Sequence, residues 1–174
     1  MLAKLNLPQL LQPDWVASGT LAELPLEHLI ERRIRALVLD VDRTLLPRRG
    51  CELPQAMEQW LRHAQQQMPL HLFSNNPSRS RIGSVAEHLG VSFTTSAGKP
   101  RRGPLRQVLD NLALPAGEVA IVGDRVFTDV LAGNRLGLYT VLVKPVNPEG
   151  QPCSHDRWQR LEAKLARLAG ASLG

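Results

Sequence analysis

The fold of this chain is decided by its stretch Arg35-Ala36-Leu37-Val38-Leu39-Asp40-Val41-Asp42-Arg43-Thr44-Leu45. The stretch opens with a short apolar run, which is typical of a strand that is buried on both faces of a parallel sheet. Two carboxylates, Asp40 and Asp42, follow directly. Because unpaired carboxylates beside a buried strand are unfavourable, we expect a cation as their partner. The stretch therefore predicts a central strand with a charged site at its end.

Similar apolar runs recur along the chain and are separated by segments with helical spacing. The runs predict strands at residues 35–40, 70–74, 91–95, 118–123 and 138–143. The other segments predict helices at about 54–67, 78–89, 101–113, 127–136 and 155–169. This alternation predicts an α/β fold, namely a three-layer Rossmann-like parallel sheet with helices on both faces.

The length of 174 residues is typical of one domain. Within residues 1–174 we expect a leucine-rich N-terminal extension at 1–34 that packs on the core, a core at 35–145 that carries the motifs, and a C-terminal helix at 154–170. Two cysteines are too few for a disulfide framework, which fits a reducing compartment.

Polar residues follow the predicted strands in a fixed order. After the acid pair come Ser74-Asn75-Asn76, then Gly98-Lys99-Pro100, and then Asp124 and Asp129. Taken singly, such residues are common as helix caps or solvated surface charges. Because ligands bind at the carboxyl ends of parallel strands, the four groups together predict one shared active site.

These motifs resemble those of phosphatases of the haloacid dehalogenase superfamily. That family carries Asp-x-Asp-x-Thr-Leu, then Ser or Thr, then Lys, and then Gly-Asp followed by a further Asp. The matching residues here are Asp40-Val41-Asp42-Arg43-Thr44-Leu45, Ser74, Lys99, and Gly123-Asp124 with Asp129. Arg43 stands where the family usually has Gly or Asn.

The resemblance implies a Mg²⁺-dependent phosphomonoester hydrolase. Asp40 would be the nucleophile that forms an aspartyl-phosphate, and Asp42 would be the general acid and base. Mg²⁺ would be held by Asp40, by Asp124 and by Asp42, the last through its main-chain carbonyl.

The resemblance also assigns the residues around this centre. The phosphoryl group would be bound by Ser74, Asn75 and Lys99, and Lys99 would compensate the developing charge. Thr44 and Asp129 would orient the groups that act directly.

The spacing of the motifs leaves no room for the cap domain that closes the site in most members of the superfamily. Asp42 and Pro54 are twelve residues apart, and Ser74 and Lys99 are twenty-five apart. An open site suits a large or surface-embedded substrate. The chain looks most like the capless group that includes phosphatidylglycerophosphate phosphatases, which it resembles through Pro47, Ser74-Asn75-Asn76, Lys99-Pro100, Gly123-Asp124-Arg125, Thr128-Asp129 and Gly133-Asn134.

The charge distribution is consistent with an anionic phospholipid substrate. The net charge of +5 arises within residues 79–106, where Glu87 is the single acid beside six cations. These cations are Arg79, Arg81, Lys99, Arg101, Arg102 and Arg106. We expect the arginines to hold the protein at a membrane surface. For the extension at 1–34, packing against the sheet is the expected role, and the alternative is a membrane contact. An interfacial element needs a sustained apolar face, which Pro8 interrupts. The apolar side chains concerned are Leu2, Leu5, Leu7, Leu10, Leu11 and Trp15.

Two other functions use similar residues. A soluble phosphatase for a sugar phosphate, nucleotide or phosphoprotein would need the same catalytic groups, so this alternative stays open. A non-enzymatic phosphoacceptor domain is disfavoured, because the second predicted strand carries His71 and Ser74 and the third ends in Thr94-Thr95, not in an acceptor Asp.

Further patterns exclude other classes of protein. A P-loop is excluded because Pro100 stands where Ser or Thr is required. Three Phe, three Trp and one Tyr form no stacking array, so we expect no nucleic-acid partner. The apolar runs are too short to span a bilayer, and the N-terminus lacks a secretory signal. We therefore expect a cytoplasmic protein that contacts the inner membrane surface peripherally.

Overall fold

The computed structural model describes residues 6–153 and 156–173. Its strands are β1 Trp15–Val16, β2 Ala36–Leu39, β3 Leu70–Phe73, β4 Ser92–Thr94, β5 Val119–Gly123 and β6 Tyr139–Leu142. They form one parallel sheet in the order β1-β6-β5-β2-β3-β4. The predicted parallel α/β architecture is confirmed, with β2 near the centre of the sheet.

The helices lie before, between and after these strands. They are α1 Leu7–Leu10, α2 Leu26–Glu31, α3 Gln55–Gln67, α4 Arg79–Leu89, α5 Arg102–Leu112, α6 Leu131–Asn134 and α7 Arg157–Leu168. The helix predicted at 127–136 is divided, since a π-helical turn at Val126–Val130 precedes α6. The predicted start of the last helix, at 154 and 155, lies outside the described residues.

The alternation of side chains along β2 explains the three layers. Leu37 and Leu39 belong to the core under α2, α3 and α4, while Ala36 and Val38 belong to the core under α5 and α6. Because successive side chains of a strand point to opposite faces, a strand covered on both sides needs apolar residues at every position. The uninterrupted apolar run of β2 meets this requirement.

The N-terminal extension contributes a strand that the sequence analysis missed. Trp15–Val16 pairs with Val141 and Leu142 of β6, and the Ala17 N–H donates to the Leu142 carbonyl at 2.9 Å. A pair of residues is too short to show a strand period. The extension therefore completes one edge of the sheet.

The packing of the extension bears on its alternative role as a membrane contact, because Leu7 is exposed whereas other members of the apolar set are covered. Leu11 is buried, and the Trp15 ring packs on His28 with a ring separation of 4.4 Å. Leu2 and Leu5 lie outside the described residues. Among the residues that the structure describes, no helix is both long and apolar enough to cross a membrane.

The register of the central strands brings the sequence motifs to one edge. Leu39 is aligned with Leu72 on one side and with Val122 on the other. Asp40, Ser74 and Asp124 follow these three strands. The parallel direction of the strands therefore places their carboxyl-terminal residues side by side.

His71 is a buried titratable residue within β3. Its Nδ1 lies 2.7 Å from the Ser92 hydroxyl and its Nε2 lies 2.9 Å from the Thr94 hydroxyl. Burial lowers the pKa of His71 from 6.5 to about 4. The folded protein therefore holds a neutral imidazole over a pH range in which the unfolded chain is protonated.

We expect His71 to reduce the stability of the fold as the pH falls from its unfolded pKa of 6.5 to about 4, because only the unfolded chain binds the proton there. Urea unfolding of the wild type and of His71→Gln at a series of pH values measures this. The wild type should lose more unfolding free energy than the variant over that interval. Parallel pH profiles would contradict the expectation.

Candidate active site

Asp40 lies directly after β2 with both carboxylate oxygens engaged. Oδ1 accepts a hydrogen bond from the Lys99 ammonium at 2.6 Å, and Oδ2 accepts one from the Thr44 hydroxyl at 2.9 Å. Its N–H donates to the Val122 carbonyl at 2.9 Å. The carboxylate is therefore fixed in orientation and beside a cation, as a nucleophile requires.

Lys99 is the buried cation at the centre of the site. Its ammonium donates to Asp40 at 2.6 Å, to Asp129 at 2.7 Å and to the Phe73 carbonyl at 3.0 Å. Burial lowers the pKa of Lys99, but Asp129 and Asp40 outweigh this effect and raise it overall. Since removal of Lys99 would leave two buried carboxylates without this partner, the residue stabilises the fold around the site.

Asp129 lies in the π-helical turn and faces Lys99. Its second oxygen accepts a hydrogen bond from the Arg125 N–H at 3.2 Å. Burial raises the pKa of Asp129 and Lys99 lowers it, and the net result is a pKa of about 6. A Cβ atom at Gly123 would lie 2.2 Å from the Asp129 carboxyl carbon, so glycine is required for this close approach.

Asp124 is the buried acid that the protein leaves without a hydrogen-bond donor. Neither of its carboxylate oxygens has a hydrogen-bond partner among the described residues. Burial raises the pKa of Asp124 well above its ordinary value, and Asp40 and Asp129 raise it further. One oxygen from each of these three acids lies within 4.8 Å of the other two. Such an all-oxygen cluster suits a divalent cation such as Mg²⁺.

Asp42 is partly exposed and is bound by residues outside this cluster. Its carboxylate accepts hydrogen bonds from the Ser74 hydroxyl at 3.2 Å and from Arg81 Nε at 3.0 Å. The Asp42 side chain is 32% exposed. The two acids of the first motif therefore occupy different environments, one buried beside Lys99 and one at the opening.

The side chains predicted to bind phosphate contact other protein groups here. The Ser74 hydroxyl donates to Asp42 and accepts from the Asn76 N–H at 3.0 Å. The Asn75 side chain accepts from the Lys99 N–H at 2.7 Å and donates to the Lys99 carbonyl at 3.2 Å. The side chain of Asn75 thus positions the main chain of Lys99.

Arg81 is a site residue that the sequence analysis missed, because it was assigned to the membrane-facing patch. Its guanidinium donates to Asp42, to the Pro47 carbonyl at 3.1 Å and to the Gly50 carbonyl. It therefore joins α4 to the loop at residues 47–51. The sequence did contain a signal for this role. Ser78 caps α4, so Arg81 lies in the first turn, where a cation is unfavourable beside the positive end of the helix dipole unless an acid compensates it.

Arg43 adopts a left-handed backbone conformation, with φ of 71°. This conformation costs a residue other than glycine about 1–2 kcal/mol. The Arg43 Nε lies 3.6 Å from an Asp124 oxygen, and its guanidinium also pairs with Asp156. Asp156 caps α7 by accepting from the Gln159 N–H at 2.7 Å. Arg43 therefore connects the first motif, the last motif and α7.

Comparison with known proteins decides the family. Residues 96–146 match the family described as HAD-hydrolase-like. The probable phosphatase YqeG of Bacillus subtilis is 33% identical over 121 residues, which cover 69% of this chain and 70% of that protein. The chain belongs to the HAD-like hydrolase family.

Two further proteins extend this assignment. Mitochondrial phosphatidylglycerophosphatase GEP4 of Saccharomyces cerevisiae is 28% identical over 178 residues, which cover 94% of this chain and 91% of that protein. The crystal structure of 2-haloacid dehalogenase from Pseudomonas syringae shares the fold, with a TM-score of 0.50, 15% identity, and coverage of 78% of this chain and 99% of that chain. This HAD-like protein is an enzyme, and it is a phosphatase.

The structure of this phosphatase has no cap domain at either of the two expected positions, both of which are fully described. Residues 43–54 form a loop, and residues 75–98 contain only α4, β4 and their connections. The catalytic edge of the sheet is therefore left without a second domain over it.

We expect Asp124→Asn to raise the melting temperature in metal-free buffer at neutral pH, because the unfolded chain ionises this carboxyl freely whereas burial, Asp40 and Asp129 oppose its ionisation in the fold. The same change should abolish the rise that MgCl₂ gives the wild type, since a ligand that binds only the folded state stabilises it. Thermal unfolding with EDTA and with MgCl₂ measures both effects. Asp110→Asn, at an exposed acid of α5, is the control and should respond to MgCl₂ like the wild type. A full response of Asp124→Asn to Mg²⁺ would refute the cation site.

Proposed function

We propose that the enzyme is a Mg²⁺-dependent phosphomonoesterase that works through an aspartyl-phosphate on Asp40 and acts on phosphatidylglycerophosphate. The observation that carries the mechanism is the separation of the two acids of one motif. Asp40 is buried against Lys99 and Thr44, whereas Asp42 faces the opening and is held by Ser74 and Arg81. Different environments give two carboxylates different roles.

In the first step, a carboxylate oxygen of Asp40 attacks the phosphorus atom and forms the aspartyl-phosphate. The bond from phosphorus to the alcohol oxygen breaks, and that oxygen takes a proton from Asp42. In the second step, Asp42 accepts a proton from water while the water oxygen attacks phosphorus. Phosphate leaves, and Asp40 is regenerated as a carboxylate.

Lys99 serves both steps from a fixed position. It remains charged beside Asp40, so it can attract the phosphoryl oxygens without prior reorganisation. Asp129 holds the ammonium from the opposite side at 2.7 Å. The Asn75 side chain fixes the main chain of Lys99 through hydrogen bonds to its N–H and carbonyl. Together these residues keep the cation aimed at the reaction centre.

The acid cluster would hold the metal ion. Asp40, Asp124 and the main-chain carbonyl of Asp42 would bind Mg²⁺. The oxygens of Asp124 are the clearest ligands, because they have no hydrogen-bond partner among the described residues. A bound Mg²⁺ would reduce the repulsion between the carboxylates and the phosphate.

The lipid substrate is supported by three features of the chain. GEP4, which matches nearly the full chain, is named a phosphatidylglycerophosphatase. No cap covers the catalytic edge, so a headgroup at a bilayer can reach it. Exposed cations, Arg101 and Arg102, begin α5 at the same edge. Such a substrate would require the enzyme to work at a membrane surface.

The substrate is tested by measuring phosphate release. Phosphatidylglycerophosphate in mixed micelles is compared with two water-soluble esters, glycerol 3-phosphate and a nucleotide monophosphate. We expect the larger kcat/KM for the lipid. A larger value for one of the water-soluble esters would favour the soluble phosphatase instead.

We expect Asp40→Asn to abolish turnover while the protein still folds, because the change keeps the shape but removes the attacking charge. Wild-type enzyme that is quenched with acid during turnover and then treated with borohydride should carry homoserine at position 40, since borohydride reduces an acyl phosphate. Mass spectrometry of the peptide measures this. Asp129→Asn should still form the adduct. Turnover without any homoserine at position 40 would exclude the covalent route.

We expect Arg81→Gln to reduce kcat for glycerol 3-phosphate about tenfold more than kcat for p-nitrophenyl phosphate, because Arg81 positions Asp42 and only the alkoxide needs a proton from it. Arg81→Lys should restore part of the difference. Arg79→Gln is the matched control, since Arg79 lies two residues away on the same helix and faces the Phe93 ring at 5.1 Å. Equal losses on both substrates would make Arg81 only a support for the loop at 47–51.

A further inference from the structure

The exposed apolar side chains of this protein are concentrated on α7. Seven large apolar side chains are exposed in the described residues, and four of them lie on this helix. They are Trp158 at 59%, Leu161 at 46%, Leu165 at 46% and Leu168 at 76% exposure. Their spacing of three and four residues places them on one stripe of the helix.

Cations accompany this stripe. With 3.6 residues per turn, they fall along one side of it, and they are Arg157, Arg160, Lys164 and Arg167. The single acid of α7, Glu162, is turned inward, where it accepts from Arg125 Nε at 2.9 Å and from the Val126 N–H at 3.1 Å. The outward surface of α7, which we call the α7 face, therefore presents only apolar and positively charged groups at its exposed edge.

We propose that the α7 face docks the enzyme on an anionic lipid bilayer. Trp and Leu side chains enter the boundary between headgroups and acyl chains, while the Arg157 and Lys164 side chains extend to the lipid phosphates. The positive charge beside the stripe is complementary to an anionic surface. The use of this surface rests on the proposed function, since a lipid phosphatase must meet its substrate at a membrane.

The first turn of α7 is attached directly to the catalytic edge. Asp156 pairs with Arg43, and the Gln159 side chain donates to the carbonyls of Asp124 and Val143, each at 2.8 Å. Glu162 holds Arg125, the residue that follows Asp124. The α7 face therefore begins beside the site, and docking through it would bring the catalytic edge to the lipid surface.

The arginine patch predicted from the sequence is a weaker docking surface. Arg81 is engaged with Asp42 and with the loop at 47–51, and Arg79 lies over the Phe93 ring. Arg102 and Arg106 are exposed on α5. None of the exposed large apolar side chains lies on α4 or α5. This patch therefore has no large apolar side chain to insert into the bilayer, whereas the α7 face has four.

The apolar part of the proposal is tested with a matched pair of variants. Leu165→Gln on α7 and Ile30→Gln on α2 replace side chains of similar exposure, 46% and 44%. Vesicles of equimolar phosphatidylglycerol and phosphatidylcholine are the probe, and thermal unfolding checks folding. We expect Leu165→Gln to weaken vesicle binding about tenfold and Ile30→Gln to leave it unchanged. Equal effects of the two variants would overturn the proposal.

The charged part is tested with a second pair. Arg157→Gln combined with Lys164→Gln should weaken binding and its salt dependence more strongly than Arg102→Gln combined with Arg106→Gln, because the α5 cations lie beside no exposed large apolar side chain. The opposite result would move the docking surface to α5 and refute the α7 face.

Tryptophan fluorescence reports the insertion itself. Vesicles should shift the emission of the wild type to the blue, and this shift should be absent in Trp158→Phe, which retains Trp15 and Trp60. A shift that persists in Trp158→Phe would contradict insertion of α7. If the α7 variants change the oligomeric state in sedimentation and leave vesicle binding intact, the face is an interface between copies and the proposal is wrong.

These measurements separate the docking surface from the proposed function, because vesicle binding is measured without turnover. Binding through α7 by an enzyme that does not hydrolyse phosphatidylglycerophosphate would support the docking surface and refute the substrate. Hydrolysis in detergent micelles by an enzyme that binds no anionic vesicles would support the substrate and refute the docking surface.

Discussion

The burial of one ammonium group among three carboxylates is the constraint on which the rest of this structure depends. Lys99 contacts Asp40 and Asp129 directly, and Asp124 lies in the same cluster. Arg43 adds a second positive charge 3.6 Å from Asp124, but Arg43 is shared with Asp156. The site therefore stays short of positive charge until a cation or a change in protonation supplies it. The unpartnered oxygens of Asp124 mark where that shortage is concentrated. The proposed metal ion would supply this positive charge, and it would reduce the repulsion between the carboxylates and an approaching phosphate ester.

The scaffold holds the cluster with arginines that come from separate segments. Arg43 contacts Asp124, Arg81 holds Asp42, and Arg125 holds Glu162 of α7. A guanidinium can bind several acceptors in fixed directions, so each of these residues ties a catalytic loop to a neighbouring element. Part of the positive charge of the sequence therefore serves the interior of the site and is not available at the surface.

The distribution of charge in space differs from its distribution along the chain. Residues 107–174 carry seven cations and seven acids, so a tally along the sequence treats them as neutral. The fold turns Asp124, Asp129 and Glu162 inward, where they meet Lys99, Arg43 and Arg125. The cations of α7 remain on the outside beside an apolar stripe. The zero net charge of residues 107–174 therefore gives no indication of the α7 face, which combines positive charge with exposed apolar side chains.

The sequence by itself determined the parallel α/β fold and the set of polar groups that meet at its edge. Both depend on local patterns: apolar runs for the buried strands, helical spacing between them, and polar residues at the strand ends. The tertiary structure decided the pairing of β1, the attachment of Asn75 to Lys99, the role of Arg81 and the character of α7. Each of these depends on contacts between residues far apart in the chain, or on which face of a helix is covered, and no local pattern specifies them.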